Sequence, residues 1–389
     1  MTRPDLQPVE ADRQGNVVMP RDFLVSKAPD HQSRELPEIK LSHLGRMTDP
    51  TGIFRQAVYS VPNFSGGYCT DDNARAFILM VMLEEMDEEP ERIRTLATTY
   101  AAFLHHAYNP KTRRFRNYMS FDRHWLDEQG SEDSHGRALW ALGTGVGRSS
   151  HATFQALSGE IFAKALPVVA HFTSPRAWAF ALLGIDEYLR VLSGDEYVVK
   201  MRDMLTSRLL EQFIQSAHSD WHWFEDTLTH ENARLAHALV ANGTAPGQKT
   251  ALDCGLHTLR WLTGVQTSER GHFRPIGNHG FYPRGGPRAH FNQQPIEVHA
   301  MVSACIEAYR ATSNPVWYEN AQRAFDWFLG GNDLGLELYS PDTGGCRDAL
   351  LFDRLNPNES AESTLAFLLS LAEMRLAQRV ATVFNSPTA

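Results

Sequence analysis

Five short polar words stand out of an otherwise apolar-rich chain. They are Tyr68-Cys69-Thr70-Asp71-Asp72-Asn73, Gly130-Ser131-Glu132-Asp133-Ser134-His135, Trp221-His222-Trp223-Phe224-Glu225-Asp226, Phe291-Asn292-Gln293-Gln294-Pro295-Ile296-Glu297 and Asn356-Pro357-Asn358-Glu359-Ser360-Ala361-Glu362. Each joins carboxyl groups to amides or rings. Paired carboxyls are the means of breaking a glycosidic bond: one protonates the leaving oxygen, the other activates water or attacks carbon. Crowding raises the pKa of some members and so supplies an acid near neutral pH. The rings of Trp221, Trp223, Tyr118, Phe281 and Tyr282 offer flat apolar faces for sugars. Asn73, Asn232, Asn292, Gln293, Gln294, Arg75, Arg137, Arg234 and Arg284 can hydrogen-bond hydroxyl groups.

Each feature also has a plainer reading. An acid pair at a helix start can simply cap it, where the positive helix end favours negative charge. Trp140 and Trp178 lie inside apolar runs and belong to the core, and His237 and His257 read as core or satisfied histidines. His135, His290 and His299 border the polar words and are the candidate functional histidines. Neighbours on one helix diverge by about 100°, so an acid and its base must come from different helices. Asp133, between Glu132 and His135, is the expected acid. Glu297, after Pro295 and held ionised by arginines, is the expected base, with Glu225 and Asp72 next in order. Asp71, Glu132, Asp226, Asp348, Glu359 and Glu362 are expected around the same cavity as substrate contacts. Calcium would take such oxygens, but no loop has EF-hand spacing and no phosphate-loop motif occurs, so neither metal nor cofactor is expected.

Two kinds of helix must position these words. One is amphipathic: in 196–217 the apolar residues Val198, Met201, Met204, Leu205, Leu209, Phe213 and Ile214 recur at three- and four-residue steps. Segments 91–108, 151–170, 247–265 and 315–330 behave likewise, and 41–58 completes the set. The other kind is apolar nearly all round, as in AFILMVML (76–83), ALWALGTGV (138–146) and TLAFLLSLA (364–372), and so is buried on every side. Six buried helices alternating with six half-exposed ones predict an all-α (α/α)6 toroid, a barrel of six helical hairpins. Inner helices beginning near 72, 134, 174, 230, 294 and 360 are too irregular for the alternative, a solenoid of fixed repeat.

All inner-helix starts then point to one mouth, where the polar words converge. Four of them place an arginine in the first turn, at 75, 137, 176 and 234. That position opposes the helix dipole, which suggests a task such as pairing the crowded carboxylates. The long glycine-rich loop 267–295 is expected to form a substrate wall, and 339–348 a turn before the last inner helix.

The barrel is expected to span residues 37–380, between a polar N-terminal tail, 1–36, with four prolines, and a C-terminal tail, 381–389. A net charge of −9 argues against nucleic acid and anionic membranes as partners. No apolar run is long enough for a membrane span or signal segment. Cys69, Cys254, Cys305 and Cys346 form no CxxC pair, which fits a reduced, cytoplasmic protein. Nothing in the pattern specifies an oligomeric state.

At these words the chain resembles bacterial six-hairpin glycosidase-like proteins, often joined to glycosyltransferases. The resemblance covers about residues 36–378 and is carried by LPEIKLSHLGRMTDPTGIFRQAVYSVPNFSGGYCTDDNARA, GSEDSHGRALWALG, WFEDTLTHENARL, FNQQPIEVHAMV, TGGCRDAL and NESAESTLAFL. It implies the barrel fold. The transferase association belongs to the fusion partner, since no nucleotide-sugar Rossmann pair is present. The family pattern has Asp where Asn292 stands and a glycine-type residue where Ser360 stands, so no proton transfer is assigned to Asn292.

Three functions compete. A glycoside hydrolase, or a phosphorylase using the same acid, acting on an oligosaccharide is favoured, because a plain binding site gains little from desolvating several acids. A sugar epimerase or isomerase would rely on His135, His290 and His299. A non-catalytic sugar-binding domain is the third.

Overall fold

In a computed structural model, the described residues are 10–11, 17–18, 35–86 and 89–385, with side chains described for 35–86 and 89–379. Most of the expected N-terminal tail lies outside them. Twelve helices follow in order: α1 (Ser42–Arg46), α2 (Thr70–Glu84), α3 (Pro90–Ala107), α4 (Glu132–Arg148), α5 (Ala152–Ala165), α6 (Pro175–Leu189), α7 (Glu196–Ser216), α8 (Ala233–Gly243), α9 (Lys249–Val265), α10 (Pro295–Thr312), α11 (Pro315–Phe325) and α12 (Ala361–Asn385). The even-numbered helices pack each on the next, and α12 closes back on α2. That last contact makes the assembly a ring rather than a solenoid. The odd-numbered helices α3, α5, α7, α9 and α11 lie outside their inner neighbours.

Two boundaries differ from the pattern reading. Of the expected outer helix 41–58 only α1, a little over one turn, is helical; the rest forms bridges and a short hairpin, Ala57–Val58 with Val61–Pro62. Thr51, Gly52, Val58 and Pro62 break the helical run, and the segment instead feeds the mouth. The expected C-terminal boundary at 381 falls inside α12, which runs to Asn385.

Inner helices start where local chemistry permits. Ser131 and Ser174 accept from the backbone N–H of Ser134 and Ala177, capping α4 and α6. Pro175 and Pro295 occupy first-turn positions, where no N–H is needed. Helices α4 and α6 approach unusually closely: a Cβ on Gly143 would stand 2.0 Å from the Gly184 carbonyl oxygen. Only glycine permits that backbone-to-backbone contact.

Strand structure among the described residues is confined to two-residue ladders. Two of them brace the mouth: Tyr68–Cys69 with Tyr118–Met119, and Thr227–Leu228 with Tyr282–Pro283. The four cysteines are buried and free. Among the described residues no helix is long and apolar enough to cross a membrane.

Candidate functional site

The starts of α2, α4, α8 and α12 meet in one ion network. At its centre is Glu231, fully buried, whose backbone takes the left-handed conformation (φ +47°) just before α8. Arg137 grips both its oxygens, at 3.1 and 2.5 Å. Arg234 approaches at 3.4 Å and Arg75 at 3.8 Å. Burial alone would raise the Glu231 carboxyl, but the Arg137, Arg75 and Arg234 guanidiniums reverse this and hold it well below the usual range. Arg75 also reaches Asp72 at 3.1 Å and Glu362 at 3.3 Å, and Arg137 reaches Asp71 at 3.5 Å. Arg75 and Arg137 thus pair with carboxylates of other helix starts, and Arg234 with Glu231 at the start of its own.

A second group adjoins it on the α6, α8 and α10 side. Arg176 donates to Glu225 Oε1 at 2.8 Å, to the His230 carbonyl at 2.7 Å and to Thr229 Oγ1 at 2.6 Å. Glu225 Oε2 is buried without a hydrogen-bond partner. Glu297, 3% exposed, accepts at Oε2 from the Asn232 amide at 2.9 Å and from the Gln266 amide at 3.4 Å, while its Oε1 is buried and unpartnered. Burial, reinforced by the Glu231 charge, raises Glu297 to about 7, against the lowering pull of Asn232 and Arg176. Asp133 accepts from Ser174 Oγ at 2.5 Å and faces His230 at 3.9 Å.

This corrects the expected acid–base pair. Among the described residues no arginine forms an ion pair with Glu297, so the group expected as ionised base is instead raised to about 7 and stays partly protonated near neutral pH. Asp133 is not wedged between Glu132 and His135. Glu132 turns away to accept from the Thr173 and Ser174 N–H groups, and His135 is fully buried, bonded to the Ala165 carbonyl and the Phe115 N–H. Both ring nitrogens of His135 are thus taken up within the fold.

Other candidates also prove structural. Trp223 has 0% exposure and stacks on Trp261. Trp221 is buried, donates to the Glu225 carbonyl and packs edge-on against Trp261 and Tyr282. Neither indole keeps a free face for a sugar. Gln293 is spent on Trp327, Asp333 and the His290 carbonyl. Asn73 is spent on Cys69 and Ile53. Glu359 is fully buried against Arg347 and His43. Asp348 holds Ser360, supporting the turn into α12.

Asp226 and Arg284 pair with each other at 3.0 Å on the rim, Asp226 largely exposed. Asn292, at φ +57°, bonds Asn278, and with exposed His290, Phe352 and Arg354 lines an open cavity of about 580 Å³. Gln294 caps the start of α10 without a side-chain bond. The site thus retains Asp71, Asp72, Arg75, Arg137, Glu225, Asn232, Arg234, Glu297 and Glu362, with Asp133 at its edge.

Sequence reasoning missed Glu231 and the role of His230. Glu231 lies two residues before α8, where an acid would ordinarily serve as a cap, and nothing in the local pattern gives its direction; its backbone is left-handed and its side chain lies in the network. Beneath the network, inside the barrel, Arg234 bonds His299 at 2.8 Å and His237 at 3.4 Å, with Glu373 3.6 Å from His299. Burial and the Arg234 charge lower His299 to about 4 and His237 to about 3, so both imidazoles are neutral at neutral pH.

No protein-family model matches the chain, and no curated protein matches it in sequence. Solved structures share its fold. The cellobiose 2-epimerase of Spirochaeta thermophila DSM 6192 has a TM-score of 0.62 at 13% identity, covering 87% of this chain and 93% of its own. The cellobiose 2-epimerase of Bacillus thermoamylovorans B4167 has a TM-score of 0.66 at 9% identity, covering 87% and 96%. The GH76 α-mannanase of Bacteroides thetaiotaomicron has a TM-score of 0.57 at 10% identity, covering 81% and 88%. The chain has the (α/α)6 six-hairpin fold that these enzymes share.

Proposed function

We propose that the protein is a carbohydrate-active enzyme that cleaves a glycosidic bond of an oligosaccharide at Glu297 and Glu225. The observation that carries this is the pair itself. Two carboxyls from different elements feel the charge of Arg176, Glu225 as its ion-pair partner, and each keeps a buried oxygen without a hydrogen-bond partner among the described residues. Buried polar atoms without partners are rare in folded proteins and call for an explanation; a substrate hydroxyl or glycosidic oxygen would complete them. Glu297, raised to about 7 and so still partly protonated near neutral pH, acts as general acid. Glu225, ion-paired to Arg176, acts as the second carboxylate, either on water or on the anomeric carbon. Asp71, Glu362 and Asn232 hold sugar hydroxyls. The fold is shared with enzymes named for both hydrolysis and epimerisation of saccharides, which agrees with a sugar substrate.

The second reading is epimerisation, favoured by the neutral His299 and His237 beside Arg234. A neutral imidazole is a competent base, but His299 is 1% and His237 8% exposed, and both are already bonded to Arg234. The two readings part on one experiment: incubation with gluco- and manno-oligosaccharides, followed by mass and NMR analysis. Cleavage gives shorter chains, and Glu297→Gln and Glu225→Gln should each lower the rate at least on the order of 100-fold. Products of unchanged length with an altered sugar, or full activity in both variants, would refute the assignment.

A further inference from the structure

Large apolar side chains gather in the open beside the mouth, on the approach to α2. Val58, Tyr59, Val61, Phe64, Tyr118 and Phe121 are all exposed, Phe64 at 51% and Phe121 at 49%. Phe64 and Phe121 stack with ring centroids 4.8 Å apart and planes within 6°. Half exposure of two stacked rings means that each covers one face of the other and leaves area open. The pair is anchored, because both rings contact Phe54, which stacks on buried Tyr68 just before α2. Next to it the Arg55 guanidinium lies 4.5 Å over the Tyr118 ring. Arg55 in turn binds the start of α12 through its carbonyl, and its charge is felt at Asp72. The rings therefore lead directly to Asp71, Asp72 and Glu362.

An exposed apolar cluster of this kind marks an interaction site. A stable protein partner would need some 20–30 residues a side, whereas this cluster holds six large apolar residues. Flat rings edged by a guanidinium and carboxylates match one face of a pyranose, apolar in its C–H groups and polar at its rim. We propose that the Phe64–Phe121 pair, with Tyr118, is a shelf that carries a distal sugar ring of a neutral oligosaccharide whose reacting linkage lies at Glu225 and Glu297. This rests on the reading of the site given above. From the shelf to Glu297 the groups follow one another as Arg55, Asp72, Arg75 and Glu231, so on this reading the shelf serves chains longer than a disaccharide. The protein would thus favour extended saccharides over short ones.

The test compares native protein with the double variant Phe64→Ser/Phe121→Ser, which alters exposed rings and should keep the native melting temperature. Hexasaccharides of β-1,4-glucose and β-1,4-mannose are set beside the corresponding disaccharides. The expected result is a rise of about tenfold in KM for the hexasaccharide that reacts, with kcat and the disaccharide KM unchanged. Unchanged hexasaccharide KM, or equal rises for both lengths, overturns the shelf while leaving the catalytic reading standing. If native protein turns over neither, the catalytic reading fails. The shelf is then judged by calorimetric titration of the same hexasaccharides: weaker binding by the variant upholds it, and no binding by native protein overturns it. A native dimer that the variant converts to monomer makes the patch a self-association surface and overturns it too.

Discussion

Replacing Glu297 by Gln should stop the chemistry and, at the same time, make the folded chain more stable above neutral pH. The substitution preserves shape. A glutamine oxygen can accept from the Asn232 and Gln266 amides as Oε2 does now, and its amide nitrogen takes the place of the unpartnered Oε1. What changes is the ability to ionise. The Glu297 carboxyl is raised from 4.5 to about 7, chiefly by burial. A carboxyl raised on folding binds its proton more tightly in the folded chain. Its stabilising contribution is whole below about pH 4.5 and is lost as pH climbs through about 7. At 1.36 kcal/mol per unit the loss approaches about 3 kcal/mol. The glutamine variant has no such loss, so relative to native protein it gains about 3 kcal/mol across that window and nothing further beyond it. For a chain of this size that is roughly 4 °C in melting temperature. Urea unfolding of both proteins at closely spaced pH values from about 5 to about 8 measures it. A stability difference that stays level, or moves against the variant with rising pH, would show that the carboxyl is ionised in the fold and cannot be the acid.

Two further outcomes follow from the same structure. Glu231→Gln leaves Arg75, Arg137 and Arg234 buried without their shared counter-charge; breaking a buried pair on one side costs about 3–5 kcal/mol, which urea unfolding at neutral pH will register as a lower midpoint, and an unchanged midpoint would remove Glu231 from the centre of the network. Gly143→Ala places a methyl 2.0 Å from the Gly184 carbonyl with backbone on both sides, so it should destabilise by about 3 kcal/mol or more, while Gly194→Ala, with open space around it, should lower the melting temperature far less.

The ring of helices was legible because burial writes itself into period and composition. Runs such as 76–83 and 364–372 are apolar on every face, and only an inner ring makes that tolerable. Inner-helix starts came within three residues of those observed, at Thr70, Glu132, Pro175, Ala233, Pro295 and Ala361, because capping serines and first-turn prolines mark them. The outer segment 41–58 misled because its apolar residues do pack inward, but from bridges and a hairpin whose period is not helical. Site residues were legible by type and place but not by direction. Glu132 and Asp133 are neighbours in sequence, yet one caps the approach to α6 and the other faces His230. Trp221 and Trp223 carry the residue type of a sugar platform, but their surroundings, Trp261 above all, make them core. Neither the direction of a side chain nor the neighbours supplied by distant helices are encoded in local pattern.

The first-turn arginines make sense as the other half of an acid–base device. Six inner-helix starts direct their partial positive ends at one mouth, which already favours carboxylates there. Adding Arg75, Arg137, Arg176 and Arg234 is unfavourable for each helix taken singly. Together they permit Asp71, Asp72, Asp133, Glu225, Glu231, Glu297 and Glu362 to occupy one region. The guanidiniums are fewer than the carboxyls, so they do not serve all equally. Glu231 sits among three of them and is held ionised. Asp72, Glu297 and Glu362 are pushed upward by burial, against the lowering pull of Arg75 on Asp72 and Glu362. Glu297 hydrogen-bonds only amides, and its carboxyl is raised to about 7. An excess of carboxyls over arginines, unevenly shared, thus leaves a protonated group and ionised ones within a single mouth, which is the division of roles that acid–base cleavage of a glycosidic bond requires.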